Sequence, residues 1–196
     1  MDDFGEWAQR TEISKPLLTA KSDREIIDLF IRGEEMVKLQ SGNIHRTLGG
    51  KHKDGREDTA SGTICNIDLG YVKFDNTEHF FASHCSIRER RFSTKGVLVM
   101  NSQWYKKRRV AVRAHPSDGK VDLIYSNLSI PQYYLAAKRA ESGSHLPHPD
   151  LRTQSREKEA AIFPRPMLIF ADGSLIGRSS KIMIGVAHRA IKVVVQ

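Results

Sequence analysis

The chain has 196 residues, of which 39% are hydrophobic and 28% charged, with a formal net charge of +8 and a pI of about 9.6. This length predicts one domain, or one domain with an extension, and the composition is that of a globular chain and not of a disordered one. No apolar run approaches the roughly 20 residues of a membrane span. The positive charge favours an anionic partner, such as nucleic acid, a phosphorylated ligand or an acidic membrane surface.

The first 40 residues predict an extension that contains a short helix and a strand. Ser22 is a typical N-cap, apolar residues follow between positions 26 and 31, and Gly33 ends the helix. Residues 36–39 alternate as in a strand. Residues 41–196 are expected to form the main domain, in which the polar, glycine-containing segment 51–61 predicts a mobile loop.

The middle of the chain predicts a series of strands. Residues 63–74 and 79–82 are strand candidates, and residues 83–94 are basic and irregular. Apolar runs at 97–100, 110–112 and 121–125 are separated by turns at 101–102 and 115–119, which predicts an antiparallel meander.

The last third predicts a helix followed by more strands. Ser129 and Pro131 begin a helix over residues 130–140, and residues 142–152 form a loop. Strands at 158–163 and 167–170 are separated by prolines, a turn follows at 172–173, and residues 181–186 and 190–195 predict a closing hairpin. The whole indicates a mainly β (α+β) fold, an antiparallel sandwich or barrel-like core with two or three short helices.

Positive charge is concentrated between residues 86 and 113, where nine cations accompany a single acid, Glu89. Aromatic residues lie among them, and this mixture suits stacking on nucleic acid or the interface of an anionic membrane. It also suits a solvated sheet edge or a contact with an acidic protein. The candidate anion-binding residues are Arg88, Arg90, Arg91, Trp104, Lys106, Lys107, Arg108 and Arg109.

Three smaller patterns could carry chemistry. Asp172 follows an apolar strand and could act as a general base, although Asp-Gly is also a common hairpin turn. Asp118 and Asp122 could bind a hard cation or close a turn. His145 and His148 could be metal ligands that lack an evident third partner, or could anchor their loop.

Neither GxxxxGK[ST] nor GxGxxG is present, which argues against the common nucleotide-binding enzymes. The two cysteines, Cys65 and Cys85, form no CxxC motif. With no evident signal peptide, they predict a reducing, cytoplasmic setting.

Several segments, in order, resemble the C-terminal domain of bacterial diacylglycerol kinase-type lipid kinases. They match the family patterns GTGN…AR-LG, (I/V)D-(L/V)-G, NG-YYGGG…PDDGLLDV, G-H…HP, YADGE-LG and the final strand pair. The matching segments are residues 41–49, 67–70, 101–122, 143–149, 170–177 and 182–195. The likeness is to a compact, actinobacterial-like variant and covers most of the chain from Ser41 onward.

The resemblance implies a β-rich lipid-kinase C-terminal domain in which Asp172 matches the family's proposed general base. The family's ATP-binding domain, with its Gly-Gly-Asp-Gly-Thr loop, has no counterpart here. Residues 106–108 replace a glycine run, Ser174 replaces a Glu, and Ser117 replaces an Asp where the family holds a structural divalent ion.

The expected function is therefore that of a lipid kinase-like protein that binds an anionic or glycerol lipid and does not phosphorylate it unaided. ATP and Mg²⁺ would be used only with a partner that supplies the ATP site. Such a protein would be cytoplasmic and peripheral at the inner membrane face. The alternative is a nucleic-acid-binding or protein-interaction module that uses the basic segment 88–109.

Overall fold

A computed structural model describes residues 8–11, 16–50 and 62–196, so the loop predicted at 51–61 lies outside the described residues. The helices of these ranges are α1 (Asp23–Ile31), α2 (Asn43–Thr47) and α3 (Ile130–Arg139). The strands are β1 (Ala8–Thr11), β2 (Thr19–Ala20), β3 (Met36–Leu39), β4 (Gly62–Phe74), β5 (Thr77–Phe81), β6 (His84–Arg88), β7 (Lys95–Met100), β8 (Trp104–Tyr105), β9 (Arg108–Arg109), β10 (Val121–Asn127), β11 (Leu151–Arg156), β12 (Lys158–Ala171) and β13 (Ser174–Val195).

One large sheet contains every described strand except the small β8–β9 hairpin, and its main path runs β1-β4-β13-β12-β6-β7-β10-β11. Strand β5 pairs with β4, and β3 pairs with both β2 and β13. The pairs that involve β3 are parallel and the others are antiparallel. The mainly antiparallel β fold with a few short helices predicted from the sequence is confirmed, with parallel pairing added at β3.

The sheet encloses two main hydrophobic clusters. The first lies between α1, β3, the start of β4 and the end of β13. The second lies among the rest of β4, β5, β6, β7, β10, β12 and the first part of β13. Strand β13, which is 22 residues long, contributes to both clusters and therefore joins them.

The ring of Phe81 lies against the backbone of β4 at Gly70, which explains why this strand contains a glycine there. A Cβ atom at Gly70 would lie 2.1 Å from Cζ of Phe81, which is fully buried in the second cluster. Such a distance is far below a van der Waals contact, so only glycine leaves room for the ring.

Helix α3 forms as the sequence predicts. The backbone N–H of Ser129 donates to the side chain of Gln132 at 2.8 Å, and Pro131 occupies the first turn. These are the features that fix a helix N-terminus. No helix in the described part of the chain is long and apolar enough to cross a membrane.

Four local predictions were wrong. Strand β6 occupies part of the segment predicted to be irregular, and residues 110–112 form no strand. Strand β12 continues through Pro164 and Pro166, because its pairing with β13 is interrupted between Ile162 and Met167, where no ladder N–H is needed. Residues 181–195 belong to one strand with an irregularity after Ala187, and they form no closing hairpin.

Candidate functional site

Asp172 lies at the tight turn between β12 and β13, where its φ of 43° and that of Gly173, 87°, favour an Asp-Gly pair. Its carboxylate accepts the backbone N–H groups of Ala82 at 2.7 Å, Ser83 at 2.9 Å and His84 at 3.0 Å. The side chain is only 2% exposed. Asp172 therefore fastens the connection between β5 and β6 to this turn.

Burial moves the pKa values of Asp172 and its neighbour His84 in opposite directions. Desolvation raises the pKa of Asp172 to about 6, against the lowering effect of the three N–H donors. Desolvation lowers the pKa of His84 to about 4. The imidazole Nδ1 lies 3.7 Å from the carboxylate, and it is neutral near pH 7, so the two groups form no ion pair.

A second buried carboxylate lies close enough to interact with Asp172. Asp23, at the start of α1, accepts the backbone N–H groups of Asn43 at 2.9 Å and Ile44 at 3.0 Å. Burial raises the pKa of Asp23, and the charge of Asp172 raises it further. Asp23 therefore joins the start of α1 to the start of α2, close enough to Asp172 for their charges to interact.

Helix α2 also holds the tip of the β8–β9 hairpin. The N–H of Lys106 donates to Oδ1 of Asn43, and its carbonyl accepts from Arg46, both at 2.8 Å. These contacts fix Lys106 at a φ of 58°, a conformation typical of glycine. The guanidinium of Arg46 lies 5.2 Å from the ring centre of Trp104. A cavity of about 230 Å³ lies here, lined by Gly42, Asn43, His45, Arg46, Gly50, Lys106 and Lys107.

An apolar cavity of about 150 Å³ lies between α3 and the sheet strands β6, β7 and β10. Tyr105 lines it and packs edge-on against His84, with ring centres 4.7 Å apart. One end of the cavity is therefore a single side chain away from the His84–Asp172 pair. The apolar lining residues include Ile87, Val97, Leu98, Val110, Ile124, Leu128, Ala136, Ala137, Ala140 and Leu151.

Two buried polar atoms of residues that line this cavity have no hydrogen-bond partner among the described residues. Nε2 of His145 bonds to the carbonyl of Val110 at 2.9 Å, and Nδ1 has no partner. Because a carbonyl only accepts, Nε2 carries the proton and Nδ1 is a free acceptor. Nε of Arg88 is a donor without a partner, while its terminal nitrogens donate to Ser86 and to the carbonyl of Arg91.

The predicted anion-binding residues do not form one patch. Arg88 and Arg108 line the apolar cavity, where Nε of Arg108 also donates to the carbonyl of Ala137. Lys106 and Lys107 belong to the cavity beside α2, and Arg109 donates to Gln103. Arg90 and Arg91 are exposed between β6 and β7.

The predicted metal candidates have local partners. Asp118 accepts the N–H of Lys120 at 3.0 Å, and burial raises the pKa of both Asp118 and Asp122. Nδ1 of His148 accepts the N–H of Asp150 at 3.1 Å, a contact separate from those of His145. Within residues 8–11, 16–50 and 62–196, no group of three or more His, Cys, Asp or Glu side chains is arranged to hold a metal ion.

The sequence placed Asp23 in the cap of α1 and Asp68 in a strand motif, and it gave no functional role to either of these buried residues or to His84. Asp68 accepts N–H groups from Gly119 and Arg189, and the signal for it was a charge inside an apolar strand run. No comparable signal marked His84, because Asp172 and Tyr105, which lie beside it, are distant in sequence.

No family model matches this sequence, and no curated protein matches it. The fold is similar to solved structures from Bacillus anthracis str. Sterne that are named diacylglycerol kinases, two of them provisionally. The two provisional ones have TM-scores of 0.57 and 0.56 at 9% and 8% identity, each over 82% of this chain and 69% of that chain. The third has a TM-score of 0.52 at 9% identity, over 82% of this chain and 67% of that chain. At these identities the likeness is one of fold, which is lipid-kinase-like.

Proposed function

We propose that this chain binds a single glycerol or anionic lipid, with hydrocarbon in the cavity under α3, and that it does not phosphorylate this lipid unaided. The observation that carries the proposal is an apolar cavity with two lining residues, His145 and Arg88, that each have a buried polar atom without a partner among the described residues. The lipid-kinase-like fold supports the same class of ligand.

The size and chemistry of the cavity fit part of an acyl chain. Its volume of about 150 Å³ corresponds to about five water volumes, and its apolar walls offer water few hydrogen bonds. Each methylene group moved there from water contributes about 0.8 kcal/mol. A short hydrocarbon segment is therefore a better occupant than solvent.

The unpaired atoms specify the polar end of the ligand. Nδ1 of His145 can accept from a hydroxyl group, and burial lowers the pKa of this imidazole, which keeps it in the accepting form. Nε of Arg88 can donate to an ester or phosphate oxygen, and Arg108 and Lys95 add positive charge to the lining. Glycerol lipids and their phosphorylated forms carry both kinds of group.

Phosphoryl transfer needs positioned phosphates and Mg²⁺. The 196 residues contain no glycine-rich phosphate loop of the common kinds, so turnover in this proposal requires ATP-binding residues from another domain or protein. Asp172 is the candidate base in that assembly. Because its carboxylate is buried behind three N–H donors, a lipid hydroxyl could reach it only after a movement near His84 and Tyr105.

The test begins with native mass spectrometry and organic extraction of the purified protein. It continues with thermal shift in dioctanoylglycerol and dioctanoylphosphatidate. We expect a ligand-dependent rise in Tm for at least one of the two lipids. Ala136→Leu, which adds bulk to the cavity wall, should abolish the rise, whereas Ala160→Leu at an exposed position of β12 should keep it.

A shift that Ala136→Leu leaves intact would contradict this cavity, and no shift with either lipid would contradict lipid binding. An ATP-consumption assay with the same lipids is expected to remain at background for the chain alone. Turnover by the chain alone would refute that part of the proposal. The alternative of nucleic-acid binding by residues 88–109 stays a prediction.

A further inference from the structure

The outer face of α3 carries apolar side chains that no part of the described chain covers. Ile130, Tyr134 and Leu135 are 65%, 71% and 51% exposed. The opposite face of the same helix, residues 133, 136, 137 and 140, lines the apolar cavity. Because this inner set follows the spacing i, i+3, i+4, i+7, α3 is apolar on its inner face as well as on part of its outer face.

The connection between β6 and β7 adds a further exposed aromatic ring beside the start of α3. Phe92 is 90% exposed. Two residues later, the hydroxyl of Thr94 donates to the carbonyl of Leu128 at 2.7 Å, and Ser126 donates to the carbonyl of Thr94 at 2.7 Å. These bonds hold the loop against the segment that leads into α3.

Positive charge accompanies these apolar groups. Arg90 and Arg91 are exposed on the loop, and Lys138 and Arg139 are exposed in the last turns of α3. The acid of the loop, Glu89, is held by Arg165 at 2.9 Å. Glu141, just after α3, is the remaining acid of segments 89–94 and 129–141. Both segments therefore carry net positive charge next to exposed aromatic and aliphatic side chains.

We propose that α3 and the Phe92 loop form a surface that docks on an anionic lipid bilayer. Aromatic rings at headgroup level, aliphatic side chains just below it and flanking Arg and Lys residues are the composition of interfacial segments. Charge complementarity selects a bilayer that contains anionic lipid, and each cation near such a surface strengthens binding about fivefold. The surface does not depend on what fills the cavity, although it places that cavity next to a source of lipid.

The test is co-sedimentation with phosphatidylcholine vesicles, with and without phosphatidylserine. We expect binding to the anionic vesicles that weakens as salt rises, because salt screens exposed charges. The double variant Arg90→Ala, Arg91→Ala should weaken binding about 25-fold. The double variant Phe92→Ser, Tyr134→Ser should weaken it about tenfold or more.

Matched controls lie on the β12–β13 pair. Ile162 and Leu175 are 78% and 55% exposed, so Ile162→Ser, Leu175→Ser makes the same kind of change outside the proposed surface. Lys158→Ala, Lys181→Ala likewise removes two exposed charges there. Both controls should bind like the wild type. All altered side chains are exposed, so the variants should keep the wild-type Tm, and the charge pair provides a second measurement if the serine pair does not fold.

Equal binding by test and control variants would overturn the proposal, as would equal binding to neutral and anionic vesicles. Analytical ultracentrifugation that shows a dimer broken by Phe92→Ser, Tyr134→Ser would assign the surface to a second copy instead. Salt-dependent RNA binding lost in Arg90→Ala, Arg91→Ala, without vesicle binding, would assign it to nucleic acid. Ala136→Leu should still dock on vesicles, so a failure of the lipid cavity and a failure of this surface give different results.

Discussion

Asp68 and Asp172 are two buried carboxylates that have the same structural role in different surroundings. Each accepts two or more backbone N–H groups and fastens a loop to a distant strand. Asp68 also bonds to Nδ1 of His188 at 2.7 Å, and that imidazole is 67% exposed. Asp172 has a buried histidine at 3.7 Å, one side chain from the apolar cavity.

Although Asp68 and Asp172 accept similar backbone hydrogen bonds, the histidines beside them differ in burial, and so the two carboxylates differ in chemistry. At Asp68 a largely exposed imidazole lies within hydrogen-bonding distance of the carboxylate. At Asp172 the imidazole is kept neutral by burial, so it gives the carboxylate no charged partner. The carboxylate is then held mainly by three backbone N–H groups, which do not offset its burial, and its pKa rises to about 6.

The largest expected effect is on stability, and it should separate the two sites. Asp68→Asn should lower the free energy of unfolding at pH 7 by about 3–5 kcal/mol, because an amide cannot accept from all three donors of a buried network. Asp172→Asn should cost less, about 1–3 kcal/mol, because it also removes a desolvated charge. Urea denaturation measures both values, and equal losses would contradict the distinction.

The second prediction concerns how stability changes with pH, because Asp172 and His84 contribute to this change with opposite signs. The raised pKa of Asp172, about 6, means that stability contributed by its protonated form is lost as pH rises from about 4 to 6. The lowered pKa of His84, about 4, means that stability is lost as pH falls from 6.5 to 4. In the wild type these two effects, each about 3 kcal/mol by linkage, largely cancel between pH 4 and 6.

Replacing one of the two residues should reveal the pH dependence of stability that the other contributes. Relative to wild type, Asp172→Asn should gain stability as pH rises from 4 to 6, and His84→Gln should lose it. The pKa of Asp23 is also raised, so in both variants Asp23 contributes a loss of stability with rising pH, as Asp172 does in the wild type. Urea midpoints at several pH values measure the slopes, and slopes that shift in the same direction in both variants would refute the opposed titration.

A smaller effect is expected from the exposed partner of Asp68. His188→Ala removes one bond to the carboxylate and leaves the N–H donors of Gly119 and Arg189 in place. Because His188 is largely exposed, we expect its contact with Asp68 to contribute roughly 0.2–1 kcal/mol. A double-mutant cycle with Asp68→Asn measures the coupling, and a coupling above about 2 kcal/mol would mean that His188 holds the network together.

An effect of similar size is expected from the hydroxyl groups of Ser83 and Ser102, beside His84. Ser83 and Ser102 form a hydrogen bond of 2.9 Å, and Ser83 also lies 3.3 Å from Nδ1 of His84. Ser102→Ala should cost about 1 kcal/mol, because Ser83 keeps His84 as a partner. Ser117→Ala, whose hydroxyl bonds at 2.7 Å to the carbonyl of Asn66, is the matched change near Asp68 and should cost about the same.

Local patterns were enough for several elements. The cap and proline before α3 and the Asp-Gly turn at Asp172 are encoded within a few residues, and both predictions are confirmed. The irregularity after Ala187 could not be predicted, because the N–H of Arg189 is satisfied by Asp68, 121 positions earlier. The sequence therefore suggested a hairpin where one strand continues.

The candidate site was predicted in part, for the same reason. Asp172 was identified from a motif, and its burial behind Ala82, Ser83 and His84 depends on another strand pair. The apolar cavity could not be predicted at all, since its walls come from β6, β7, β10, α3 and the β8–β9 hairpin. Segments distant along the chain meet there only after the sheet has formed.

The length of β13 affects how the protein unfolds locally. Its amides pair with β4 both before and after the irregularity, around Ile184 and around Val193, which belong to different hydrophobic clusters. Neither cluster can release this strand without disturbing the other. Amide hydrogens at Ile184 and Val193 should therefore exchange with solvent through one shared opening, which would make the two clusters a single cooperative unit.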